Sequence, residues 1–456
     1  GCWSGSTTIL RDGKPYILYT GMNEENQQVQ NLACPKNLSD PYLREWVKAP
    51  ENPVMSPTTL NQLDASSFRD PTTAWLGLDG RYKVIIGNKR DRLGRAILYR
   101  SKDFIHWIKA KNPLHSANDT GMWECPDFFP VFKNSLNGAE TSMIGSDVRH
   151  VLKVSLSDAQ YDHYTIGTYN HDNDIYVPDK GSVDNSSGLG YDSGNFYASK
   201  TFFDSEKDRR ILWGWIKESS SVKGWSGLQA VPRTIWLDSF GKQLLQWPIK
   251  EIQKLRGRHT NIPTQILKGG SILEVPVNTG ITASQADVEI VFEMPDLKNA
   301  EKSNSSWTNP RELCSQKGAG VKGGVGPFGL LVLASHGLQE YTAIFFRIFK
   351  AQSNYVVLMC SDQSRSSLNE DNDKTIYGTF VDVDPTVLAE KLSLRTLIDH
   401  SIVESFGCGG KSIITARVYP TLAINDEAHL YAFNNGTQQV KMLTFSAWSM
   451  KEAQIN

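Results

Sequence analysis

The sequence predicts an all-β protein, a β-propeller followed by a β-sandwich. Three observations lead there. A hairpin pattern recurs in the first half of the chain. Short apolar runs bounded by Gly and polar turns fill both halves. A single helical signal, between residues 247 and 257, separates them.

The repeat is clearest in residues 4–21 and 70–87. Both run Thr-Thr, an apolar strand, an Asp-Gly turn, a Tyr-led strand and Gly, which is a hairpin pattern. It recurs roughly 65 residues on, slightly longer than the usual propeller blade. A third cycle begins at Glu124 and includes strands at 151–155 and 164–169; a fourth begins near Asp192 and runs through 210–215. About four sheet modules are therefore expected before residue 250. The predicted domains are a propeller over 1–246, a helical linker over 247–257 closed by Gly257, and a sandwich over 258–456. Sandwich strands are expected at 287–293, 330–333, 342–348, 394–399 and 402–406, with a long Gly-rich loop at 301–326. Alternation on a sandwich strand accounts for His400 and Glu404 better than catalysis does.

Composition narrows the function. The 456 residues carry a formal net charge of −1, so no strong field draws the chain to nucleic acid or an anionic membrane. No apolar run reaches the length of a transmembrane helix. Twelve Trp, sixteen Tyr and eighteen Phe suit either a sugar-binding cleft or a β-rich core. The six Cys form no CxxC pair and no HExxH occurs, so neither a metal nor a cofactor is expected. Glycosylation sequons at Asn37, Asn118, Asn185, Asn304 and Asn435 point to a secreted glycoprotein. The chain opens on Gly1-Cys2-Trp3-Ser4, already strand-like and without an initiating Met, so upstream sequence is expected.

Two acidic stretches suggest chemistry. In the nine residues from Met122 to Pro130, Glu124 sits among aromatic neighbours, a setting that raises a carboxyl pKa and suits a general acid. Alone, these residues read more readily as a strand with one partly buried Glu. In Ser67-Phe68-Arg69-Asp70-Pro71 the adjacent Arg would keep Asp70 ionised. One protonated and one ionised carboxyl is the pairing that glycoside hydrolysis uses. Both acids start a first strand of their module, so both are expected to face a central pocket.

Several motifs together carry a family resemblance over essentially the whole chain. They are Trp3-Ser4-Gly5-Ser6, Phe68-Arg69-Asp70-Pro71, Trp123-Glu124-Cys125-Pro126-Asp127, the run from Gly194 to Phe202, the run from Arg210 to Trp215, and Val403-Glu404-Ser405-Phe406. The chain resembles glycoside hydrolase family 32, and within it the plant cell-wall invertases and fructan exohydrolases. The resemblance implies a five-bladed propeller, its first blade absent here, and a sandwich. It implies retaining hydrolysis of β-fructofuranosides in sucrose or fructan. Glu124 would be the acid/base and Asp70 the transition-state stabiliser binding fructose hydroxyls, with Arg69 beside it. Trp3 and Ser4 would line the fructose site, Cys125 would tune Glu124, and Cys314 would pair with Cys360 in a disulfide. A plant apoplast or cell-wall location, with contact to cell-wall polysaccharide, goes with it. Two departures matter. The family's nucleophile motif, Trp-Met-Asn-Asp-Pro-Asn-Gly, is absent from these residues, so little activity is expected of the chain as it stands. Ser220 stands where plant invertases carry an Asp associated with the glucose of sucrose, which favours fructan. The rivals are a non-catalytic fructoside-binding or regulatory protein and an inverting glycosidase acting on another pentose polymer.

Overall fold

The computed structural model describes residues 1–217, 225–276, 281–384 and 391–454. They form two compact units. The first comprises Gly1–Tyr191, Phe196–Trp215 and Thr234–Leu244; the second comprises Asp192–Asn195, Ile216–Arg233 and Leu245–Asn456.

The first unit is built on four antiparallel sheets in a propeller-like arrangement, matching the four modules of the sequence. The first sheet runs Cys2–Ile9, Pro15–Met22, Gln28–Pro35 and Trp46–Lys48. The second begins with Phe68–Arg69 on Tyr82–Arg90, followed by Leu93–Ser101 and His115–Ala117. The third runs Trp123–Phe132, Val148–Leu156, Tyr161–Asn170 and Ile175–Pro178. The fourth begins with Tyr197–Asp204 on Arg209–Ile216, then Arg233–Leu237 and Leu244–Pro248. Both Asp-Gly turns form where the repeat places them, with Gly13 and Gly80 at φ 79° and 71°. Apolar faces of successive sheets pack together. Leu18, Phe68, Val84 and Ile97 share one cluster; Ile85, Leu98, Trp123 and Leu152 share the next.

The second unit holds two seven-stranded sheets across one apolar core. Val288, Ile290 and Phe292 from one sheet meet Phe328, Leu330 and Val332 from the other, all 0% exposed. This is the expected alternation. No helix among the described residues is long and apolar enough to cross a membrane.

Three local expectations are corrected. The segment 301–326 is not all loop: it contains the strand Glu301–Lys302 and the helix Pro310–Gln316. The helix start is marked in the sequence, with Asn309 capping the amides of Arg311 and Glu312 and Pro at the first helical position. Leu313 and Cys314 turn from this helix to the sheet, where Cys314 is bonded to Cys360. The linker helix is a 3-10 segment of six residues, Lys250–Leu255, that passes straight into the strand Arg256–Ile262. Gly257 is therefore no helix cap; a Cβ there would stand 2.7 Å from Ser449 Oγ, so the glycine permits close strand pairing. His400 lies in a turn at φ 51° rather than on a strand.

Glu404 does lie on a strand, Ile402–Gly407, and is buried with an ionic partner. Arg233 donates to Glu404 at 2.9 Å and to Thr415 at 2.9 Å, and stands 3.0 Å from Asp192. Burial pushes the Glu404 carboxyl up against the pull of Arg233. These contacts help explain why Asp192–Asn195 and Ile216–Arg233 belong to the second unit.

Among the described residues, Glu340 is the most heavily bonded carboxylate of the sandwich. It is 0% exposed and accepts from the amides of Leu368 (2.6 Å), Leu422 (2.6 Å) and Ala423 (3.1 Å) and the hydroxyl of Thr421 (2.6 Å). Burial opposes its charge, but the Thr421 hydroxyl and these amides prevail and hold its pKa below the ordinary 4.5. A depressed folded pKa means the stabilisation is complete above the unfolded value and is lost as pH falls through the folded one. Glu340→Gln should thus lower sandwich stability by about 2–4 kcal/mol near neutral pH, with the gap from wild type closing in acid. Urea titrations at several pH values check this.

Candidate active site

Three inner strands are irregular at matching places. The register shifts between Cys2 and Gly5, between Glu124 and Asp127, and between Tyr197 and Lys200. In the second sheet the inner strand stops at Arg69 and resumes at Trp75. Left-handed residues mark these points: Asp70 at φ 66°, Cys125 at 42° and Ala198 at 54°. Such a conformation costs about 1–3 kcal/mol for a non-glycine residue and re-aims the neighbouring side chain.

The result is a cluster at the starts of the inner strands. Arg69 Nη2 donates to Glu124 Oε1 at 2.7 Å, and Tyr197 Oη donates to Glu124 Oε2 at 2.5 Å. Asp70 Oδ2 accepts from the Cys125 amide at 2.8 Å, while the Asp70 amide donates to Thr20 Oγ1 at 2.7 Å. Gln28 Oε1 accepts from the Phe68 amide and from Arg69 Nη1, at 2.9 and 3.1 Å. Gly87, paired with Arg69, is what lets the second and third sheets close up, since a Cβ there would lie 2.0 Å from the Trp123 carbonyl oxygen.

The electrostatics differ from the sequence expectation in two ways. The neighbouring Trp123 does not wall in Glu124. Strand alternation turns Trp123 into the core, 1% exposed, and leaves the Glu124 side chain 21% exposed on the other face, against Arg69 and Tyr197. Arg69 hydrogen-bonds Glu124, Gln28 and the Ser66 carbonyl, and acts on Asp70 through its charge alone. Burial dominates at Asp70 and pushes its carboxyl up, opposed first by Lys200, then by the Cys125 amide, then by Arg69. Cys125 meets the site through its backbone, and burial pushes its thiol up, so it stays protonated. Burial likewise drives the Tyr197 hydroxyl far above its ordinary value, which leaves it a neutral donor to Glu124.

Glu124, Asp70 and Arg69 are thus brought together. Trp3 and Ser4 occupy the corresponding bulge of the first sheet and are exposed, but neither bonds to Asp70 or Glu124. Tyr197 and Lys200 join the cluster without a motif role of their own. Tyr197 precedes the register shift of the fourth sheet as Glu124 precedes that of the third. No sequence signal marks Gln28. Ser220, within 218–224, lies outside the described residues. Asn37, Asn118, Asn185 and Asn304 are exposed; Asn435 is half-buried, with its amide nitrogen donating to the Ala319 carbonyl at 3.0 Å.

A propeller-like unit that aims paired carboxyl groups from its inner strands, with an arginine and a tyrosine on one of them, has the chemistry of a glycosidase. Residues 1–248 match the glycosyl hydrolases family 32 N-terminal domain, and residues 251–449 match the C-terminal domain of the same family. The chain is 61% identical to a fructan 6-exohydrolase of Beta vulgaris, over 100% of this chain and 76% of that protein. It is 63% identical to a cell-wall β-fructofuranosidase of Pisum sativum, over 94% of this chain and 78% of that protein. The crystal structure of fructan 1-exohydrolase IIa from Cichorium intybus superposes with a TM-score of 0.95 at 52% identity, covering 99% of this chain and 84% of that one. The chain belongs to glycosyl hydrolase family 32 and is a glycosidase.

Gly87→Ala should force the Trp123 strand away from Arg69. A loss of about 1–3 kcal/mol in stability, read from thermal unfolding, is expected together with loosened binding of sugar. Unchanged melting and binding would show that the close approach is dispensable.

Proposed function

We propose that the protein hydrolyses terminal β-D-fructofuranosyl groups from sucrose or fructan with retention. Glu124 acts as acid/base and Asp70 as transition-state stabiliser, and Arg69, Trp3 and Ser4 help bind the fructose. The observation that carries the reading is the Glu124 carboxyl held between Arg69 and Tyr197 beside Asp70. The two donors orient Glu124 for transfer to a leaving oxygen. Asp70, buried and holding the Cys125 amide, suits binding of sugar hydroxyls better than attack.

Retention needs an attacking carboxylate about 5–5.5 Å from the acid/base. We assign it to a fifth sheet of the propeller. Two features support a further sheet. The chicory chain extends beyond the 84% covered by this one. In addition, Ile9, Phe202 and Trp213 are exposed by 65%, 47% and 39% around a cavity of about 900 Å³ bordered by the inner strands Cys2–Ile9 and Tyr197–Asp204.

Fructan is the preferred substrate in this reading. Ser220 supports it, as do the likeness to the sugar-beet exohydrolase and the chicory exohydrolase solved in complex with 1-kestose. The propeller at 1–246, linker at 247–257 and sandwich at 258–456 serve as working domain limits. A cell-wall location, with its polysaccharide at hand, follows the pea relative's name and the four exposed sequons.

Fructose release from sucrose, inulin and levan, by this chain and by one extended upstream, tests the proposal. The extended chain should be active and prefer fructan; Glu124→Gln in it should lower turnover about 10²–10⁴-fold without changing the fold. Full activity of that variant would remove Glu124 from its role. Fructoside binding without release by either chain would favour a non-catalytic protein.

A further inference from the structure

We propose that Glu274, His336 and His429 form a site for one zinc-class divalent ion on the sandwich. Their ligand atoms, one per residue, all lie within 4.8 Å of one another. No short motif announces the group, because its members are far apart in the chain.

The sheet brings them together. Glu274 ends the edge strand Ser271–Glu274, where it pairs with Tyr431 of the strand His429–Asn434. His429 opens that second strand and pairs with Ala334, the last residue of Val325–Ala334. His336 follows two residues later. Two neighbouring strands thus contribute Glu274 and His429, and the turn that follows a third contributes His336.

The supports are firm. His429 Nδ1 lies 2.9 Å from Glu274 Oε1. The turn carrying His336 is clamped by Ser335 Oγ, which accepts from the Gln339 and Glu340 amides at 3.0 and 3.1 Å, and by the buried Glu340 carboxylate beyond it. The Tyr431 hydroxyl lies within hydrogen-bond reach of both Glu274 Oε1, at 3.5 Å, and the His336 carbonyl, at 3.4 Å. Outer partners of this kind orient metal ligands. The imidazole rings of His336 and His429 are 5.4 Å apart.

Two imidazoles and one carboxylate suit Zn²⁺, Cu²⁺ or Ni²⁺ and do not suit Mg²⁺ or Ca²⁺, which prefer oxygen ligands. Tetrahedral zinc with bonds near 2.1 Å sets its ligand atoms roughly 3.4 Å apart, so the wider separations, up to 4.8 Å, must close while the 2.9 Å pair of His429 and Glu274 opens slightly. The Glu274 side chain is 42% exposed and free to do so, and water would complete the shell. Bound metal would clip the edge strand and the Ser335–Glu340 turn to the strand between them.

The test uses the full chain with its free thiols alkylated. It is loaded with Zn²⁺ near neutral pH and desalted, and the retained metal is counted. One ion per chain is expected, with Cu²⁺ in its place giving a two-nitrogen paramagnetic signature. His336→Ala and His429→Ala should each weaken binding tenfold or more, while their metal-free melting matches wild type. If either fails to fold, Glu274→Gln on the exposed edge replaces it. Zinc in about hundredfold excess over its dissociation constant should raise the sandwich melting temperature by roughly 5 °C or more in wild type alone. No retained zinc, or equal retention by wild type and variants, overturns the site.

Discussion

The Lys200 ammonium, carried by the inner strand of the fourth sheet, reaches into all three others. It donates to Ser6 Oγ of the first sheet at 3.3 Å, to the carbonyls of Asp70 and Pro71 at 3.2 and 2.9 Å, and to the Pro126 carbonyl of the third sheet at 3.1 Å. Burial pushes its pKa down, and the nearby Asp70 and Asp127 work against that push. Much of the first unit's axis depends on this one cation. Inner strands that diverge into bulges leave backbone carbonyls without ladder partners, and a buried carbonyl without a donor is expensive. Lys153 does similar work between the third and fourth sheets, donating to Ser199 O at 2.7 Å and standing 3.2 Å from Asp162.

The chemistry follows from the same irregularity. A regular strand would send Glu124 and Asp127 to opposite faces in strict alternation. The register shift between them, with Cys125 left-handed, lets Glu124 point into the site while Asp127 binds the Thr201 amide at 2.7 Å. The shift also turns the Cys125 amide towards Asp70. Strain in the backbone, held in place by lysines beneath it, is what aims the two acids. The acids are then set apart by their surroundings: Asp70 is buried with its charge opposed by desolvation, whereas Glu124 is partly open and shared between a guanidinium and a phenol.

The sandwich follows another logic. Its two sheets pack by plain alternation, and its polar features are anchors for turns and edges. Glu340 gathers separate stretches of chain on one buried carboxylate, and the helix Pro310–Gln316 is tied to the sheet by the Cys314–Cys360 bond. Neither anchor lies in the carboxylate cluster, so changes there should act on stability and leave the chemistry alone.

Much of this was legible from the residues. Thr-Thr, Asp-Gly and Tyr-led strands recur because hairpins need those turns, and period-two alternation marks the sheets. Glu124 and Asp70 could be found because each opens a module. The helix at Pro310 was equally legible, through Asn309 and the proline after it, and was obscured by the Gly-rich stretch that follows. What no local pattern could supply was partnership. That Arg69 hydrogen-bonds Glu124 rather than its neighbour Asp70, that Gly87 exists to admit Trp123, and that Glu274, His336 and His429 converge are consequences of contacts between residues 36 or more positions apart. Propensity and spacing act along the chain, whereas hydrogen bonds and packing act across it. The sequence by itself therefore determined the strands, their turns and the acids at their ends, and the tertiary structure alone decided which charges meet.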